Sequence, residues 1–244
     1  MFKLMVRFMV PLVILSAACK RHEDSLSTAG KAVSGQVLEI NPQTRIVLEG
    51  GLRSLSVRFE SGKSDVWNTT ASCLIERIPN GGAPAGQGSW QQPRTNIVTT
   101  FSQENGRAFS AATFYHRGTK LLIHQMTCDQ PGFLDVRATL QQGKVVGPGQ
   151  MLGTGTCAAS LWLVPFESSV AAEDNSLTIR GEGELVVLLA VAEAAEHAED
   201  ISSRWNKACR LFDPGGGEHP DVVKVIYSLR KEVETGVDES PDSP

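Results

Sequence analysis

Aromatic residues are scarce in this 244-residue chain, at 6%, and only two of them are tyrosine. No apolar stretch is long enough to cross a bilayer. The longest, from Phe8 to Ala18, falls far short of the ~20 residues a spanning helix needs, and Pro11 interrupts it. No run of five basic residues occurs, so a nucleic-acid partner has no electrostatic footprint. No CxxC pair is present, which removes the usual spacing of a structural metal site. No serine sits in a nucleophile-elbow context. Gly153-Thr154-Gly155-Thr156 lacks the lysine of a phosphate-binding loop. No internal repeat is found.

Lys3 and Arg7 precede the Phe8–Ala18 run without any acid between, and Ser16-Ala17-Ala18-Cys19 follows. A basic start, a short apolar middle and small residues before a cleavage point make an export signal over 1–18. A cysteine directly after Ser-Ala-Ala resembles the bacterial lipobox, with Ser16 where leucine is commonest. The resemblance implies acylation of the Cys19 thiol and attachment to a membrane by lipid. Lys20 follows, where aspartate commonly marks inner-membrane retention. The outer membrane is therefore the expected address, on its periplasmic side or at the cell surface.

Hydrophobic residues make up 41% of the chain and the net charge is −4. Loss of Lys3 and Arg7 with the signal would make the remainder two units more negative. Four further cysteines, Cys73, Cys128, Cys157 and Cys209, are an even number in an exported chain. They predict two disulfides of undetermined pairing, with free buried thiols as the alternative.

Residues 19–32 read as a polar lipidated tether. From 33 to 192 short apolar segments alternate with turns: Val37–Ile40 and Arg45–Leu48 flank Asn41-Pro42, and Lys120–Cys128 and Phe133–Leu140 flank Pro131-Gly132. Leu55, Val57 and Phe59 alternate with polar neighbours at period two. The stretch from Pro79 to Gln92, rich in Gly, Pro and Gln, reads as the longest loop. This pattern predicts a mainly β protein, an antiparallel β-sandwich. Residues 193–235 change to helical composition, broken at Asp213-Pro214-Gly215. Val222, Ile226, Leu229 and Val233 then recur on one face, so two C-terminal helices pack on the sandwich. Residues 236–244 form an acidic, proline-containing disordered tail.

Between Phe109 and Ala190 the segments Phe109–His116, Leu121–Gly132, Phe133–Val136, Ser176–Gly181 and Glu184–Ala190 resemble the N-terminal β-sandwich domain of glycoside hydrolase family 95, the α-L-fucosidase type. The resemblance spans residues 107–192. It implies a supersandwich fold and a connection with carbohydrate. It implies no hydrolase activity, because the family's early Gly-Asn-Gly signature and its catalytic helical barrel have no counterpart in the sequence.

Three residues stand out as candidate ligand contacts. His116 and His124 lie on apolar strands, where a hydrogen-bonded core histidine is the ordinary reading and a sugar-handling residue the sharper one. Trp90 lies in the long polar loop, placed to stack on a sugar, whereas Trp162 and Trp205 fit packing positions. Glu182 and Glu184 flank Gly183 in a turn and read as solvated charges. No catalytic set, metal site or cofactor is assigned.

These readings converge on a lipid-anchored, non-catalytic envelope sandwich that binds a glycan or an envelope protein. The alternative is a carbohydrate-active enzyme of mutarotase-like or glycosidase-like type, requiring histidine and glutamate together on a sheet face. A third possibility, docking of another protein through the Val222/Ile226/Leu229/Val233 stripe, requires that stripe to be exposed.

Overall fold

The computed structural model describes residues 33–63, 66–79, 87–91, 96–153, 159–166, 168–173, 175–191, 201–216 and 220–237. The expected signal, Cys19 and the tether lie outside these residues. Two antiparallel sheets and two C-terminal helices make up the described fold, as the alternating pattern predicts.

The first sheet contains β1 (Val33–Asn41), β2 (Thr44–Gly50), β3 (Ser54–Lys63), β4 (Val66–Arg77), β9 (Leu134–Leu140), β13 (Ala171–Glu173) and β14 (Ser176–Glu182). Its order is β1-β2-β3-β4-β9-β14-β13. The second contains β5 (Gln87–Gln91), β6 (Ile97–Glu104), β7 (Arg107–His116), β8 (Leu121–Cys128), β10 (Gly143–Gly147), β11 (Gln150–Gly153), β12 (Ala159–Pro165) and β15 (Glu184–Val191), in the order β10-β11-β12-β15-β8-β7-β6-β5. The helices are α1 (Ile201–Phe212) and α2 (Val222–Thr235).

Two cores hold three layers together. Between the sheets, Leu48, Val57 and Ile75 of the first meet Leu122, Met126 and Val187 of the second. On the other face of the second sheet, Phe114, Ile123 and Leu188 pack against Trp205 and Ala208 of α1 and Ile226 and Leu229 of α2. The central strands of the second sheet are thus buried on both faces. That explains why β15 reads as an unbroken apolar run and β8 opens with one, where a half-buried strand would alternate.

Each helix is shaped by local chemistry. Asp221 caps α2, its carboxylate accepting the Lys224 amide at 3.2 Å, so α2 starts two residues after Pro220. Gly236 ends it at φ 69°, a left-handed conformation that glycine adopts without a Cβ clash. The stripe of Ile226, Leu229 and Val233 is buried, with Val222 packed beside it. Its apolar surface is consumed within the domain, which removes the basis for docking another protein through it.

The disulfide expectation needs correction. Cys73, Cys128 and Cys209 are free, buried thiols, and Cys157 lies outside the described residues. Cys73 and Cys128 belong to the inter-sheet core and Cys209 to the core beneath the helices, so the second sheet separates Cys209 from the other two. Burial raises all three thiol pKa values, that of Cys209 to about 11, which keeps them protonated and unreactive.

Candidate functional site

The two histidines do not form one site. Strand register pairs Thr113 with His124 and His116 with Leu121, which puts the histidines on opposite faces of the second sheet. His124 points between the sheets, 2% exposed, with Nδ1 and the Thr113 hydroxyl 2.8 Å apart. Burial lowers its pKa to about 4, so the ring is neutral at ordinary pH.

His116 points to the helices and is equally buried. The Thr119 backbone N–H donates to its Nδ1 at 3.1 Å, and the Thr119 hydroxyl lies 3.0 Å from the same atom. Nδ1 is therefore an acceptor, and the ring proton sits on Nε2, which donates to Glu232 of α2 at 3.1 Å. A hydroxyl, an imidazole and a carboxylate in series resemble a nucleophilic triad. Here, however, the hydroxyl belongs to the β7–β8 turn and is 6% exposed. The set fastens α2 to that turn.

Trp90 lies on β5 rather than in a loop, its backbone paired with Thr99. Its side chain is outside the described residues.

A cluster of partly exposed polar side chains that the sequence pattern does not single out lies on the outer face of the second sheet. The helices cover the Phe114/Ile123/Leu188 part of the second sheet's outer face. Towards the other end of the same strands, Phe101, Ser110, Thr127 and Glu184 follow one another across β6, β7, β8 and β15. The adjoining row carries Thr99, Ala112 and Gln125. Apart from buried Ala112, every one of these side chains is partly exposed. The Ser110 and Thr127 hydroxyls are 2.8 Å apart, and the Gln125 amide donates to Glu184 at 2.6 Å. Burial raises the Glu184 pKa and the charge of nearby Asp221 adds to the rise, while the Gln125 hydrogen bond opposes it.

Glu184 is therefore not the solvated turn residue expected beside Gly183. Glu182, also expected in solvent, is fully buried at the end of β14 and accepts the Ser168 amide at 2.6 Å. Both residues terminate paired strands, which a glycine-centred reading of Gly181-Glu182-Gly183 does not reveal. The only sequence signal for the shelf is the placement of Ser110, Gln125 and Thr127 at polar positions within otherwise apolar strands.

A second polar group bridges the sheets. Glu104 of β6 accepts from Arg53 at 3.0 Å and from Arg77 of β4, whose guanidinium lies 4.0 Å from the Phe109 ring centroid. Burial pushes the Glu104 pKa up, but hydrogen bonds and charge from Arg53 and Arg77 outweigh it and leave it lowered. The side chains of Arg77 and Glu104 are almost wholly enclosed, so the pair ties one sheet to the other. Among the described residues, no group of three metal-ligating side chains converges. No protein-family model matches the chain, and comparison with curated proteins finds no match.

Proposed function

We propose that the protein is a lipid-anchored, non-catalytic envelope sandwich that binds a glycan on the Phe101–Ser110–Thr127–Glu184 shelf. The observation that carries this reading is the shelf itself: two hydroxyls, an amide and a carboxyl side by side on rigid strands, with an aromatic ring at one end. Sugars are held by a small number of fixed planar polar groups and hydroxyls beside an apolar surface, and strands present such groups with little entropy to lose. Engagement of His116 and His124 in internal contacts weighs against the enzymatic alternative, which needed them exposed beside a glutamate. The resemblance of residues 107–192 to the family 95 sandwich points towards carbohydrate as well.

Attachment rests on Cys19. Acylation there would hold the sandwich at a membrane, and Lys20 favours the outer one. Replacement of Cys19 by Ala is expected to abolish incorporation of a fatty-acid label and release the protein from the membrane fraction.

A glycan-array screen with the chain from Lys20 onward tests the binding reading. That chain retains both cores, whose residues lie between Leu38 and Val233. Glu184→Ala and Gln125→Ala are expected to weaken the best glycan by about tenfold, the loss of one or two hydrogen bonds to a charged or amide group. An array without specific binders, or variants binding as tightly as the parent, would overturn the assignment.

A further inference from the structure

The shelf has a length and a charge that narrow what it can hold. Phe101, Ser110, Thr127 and Glu184 stand at one level on four neighbouring strands. From the ring to the carboxyl the row therefore crosses three strand spacings, about 14 Å. Backbone hydrogen bonds fix that spacing, so the row is a ruler rather than a flexible cluster. A pyranose in an extended chain advances the chain by close to one strand spacing. The row matches about three such residues laid across the strands. A glycan that coils would carry its successive rings off the row.

Charge narrows the choice further. On one side of the row lie Thr99, Ala112 and Gln125. On the other lie Gln103 and Ala108, where the Asp129 carboxylate accepts the Ala108 amide at 3.0 Å. Glu184 and Asp129, the charged residues of this group, are both acids, and Asp221, whose charge reaches Glu184, is a third. Lys224, in the same turn of α2 as Asp221, is paired with Asp213 at 2.7 Å. Arg107, at the start of β7, lies over the Phe133 ring at 3.5 Å and donates to Gln130 at 3.2 Å. A ligand bearing carboxylates or sulfates would meet acids whose neighbouring bases are already engaged. Hydroxyls suit the site better, since the Glu184 carboxyl and the side-chain oxygen of Gln125 accept them, and Ser110 and Thr127 keep lone pairs beyond their mutual bond.

We propose that the shelf takes a neutral, extended glycan, about three sugar residues of it lying across the strands, with one ring stacked on Phe101 and the hydroxyls of the far residue donating to Glu184 and Gln125. The inference rests on the glycan reading above and specifies its substrate class.

Calorimetric titration of the chain from Lys20 tests it, using β-1,4-linked glucose, mannose and N-acetylglucosamine series from monosaccharide to hexasaccharide, and a mannuronate series of the same linkage. At least one neutral series is expected to gain affinity up to the trisaccharide and little beyond it. Mannuronates should bind weaker by roughly tenfold or more. Phe101→Ala should lower the trisaccharide affinity roughly tenfold, while Phe101→Tyr, which keeps a ring, should bind as the parent does. Phe101 is partly exposed, and an unaltered thermal transition in both variants verifies the fold. A monosaccharide held as tightly as the trisaccharide, or a mannuronate held as tightly as the best neutral series, would overturn the inference and leave the glycan reading standing. The same holds if every series fails while the array identifies a binder outside this class. If the array is empty as well, both fall.

Discussion

His124 shows how placement decides a residue's chemistry. Unfolded, its ring takes a proton near pH 6.5; folded, burial lowers that to about 4. Between these values the unfolded chain binds more protons than the native one, so stability falls as pH drops through this window and levels off below it. The shift corresponds to about 3 kcal/mol. A Thr113→Val/His124→Leu double variant, which removes both hydrogen-bonding partners together, is expected to lose this acid sensitivity; urea unfolding at pH 7 and pH 4.5 measures it. Glu184 has the opposite sign. Its raised pKa means that ionisation opposes folding, so its contribution is best below the ordinary carboxylate range and declines as pH rises through the folded value. That histidine would be internal was legible from its apolar neighbours. The shift of Glu184 was not, because burial and the approach of Asp221 come from distant parts of the chain.

At the level of elements, most strands announced themselves. β2, β3, β7, β8, β9, β12, β14 and β15 carry alternating or continuous apolar residues between turn signals, and both helices end at glycine- or proline-bearing breaks. Strands β10 and β11 have no clear apolar period, since Gly143, Gly147, Gly149 and Gly153 mask a hairpin that pairs with β12 through β11. β5 was absorbed into a loop for a similar reason: its backbone pairs with β6, and Gln87–Gln91 has little apolar content of its own. Contacts between elements were equally invisible, and the His116–Glu232 bond is the clearest case. Glu232→Ala is expected to destabilise the protein by about 1–2 kcal/mol and to speed amide exchange in α2, whereas Glu232→Gln, which keeps an acceptor, should retain most of the stability. Denaturant titration with hydrogen exchange distinguishes the two variants.

The whole molecule is a stack in which the second sheet serves two cores, and polar ties cross the layers. Arg77→Met should cost about 3–5 kcal/mol, because it leaves Glu104 enclosed without its more deeply buried partner. Combining it with Glu104→Met should recover much of that loss, read from chemical denaturation of the single and double variants. The lowered Glu104 pKa gives the sign of the pH effect. The pair's stabilisation is present above the ordinary glutamate value and is lost as pH falls through the lower folded value.

Local sequence determined the β class, the positions of most turns, the two helices and the apolar stripe of α2, since each follows from side-chain period and backbone preference within a few residues. Tertiary structure alone decided that Cys209 lies in a different core from Cys73 and Cys128, that His116 and His124 occupy opposite faces of one sheet, and that Ser110, Gln125, Thr127 and Glu184 meet on a shelf. These depend on strand register and on which faces the layers cover. Both are fixed by contacts between residues far apart in the chain, which no local pattern encodes.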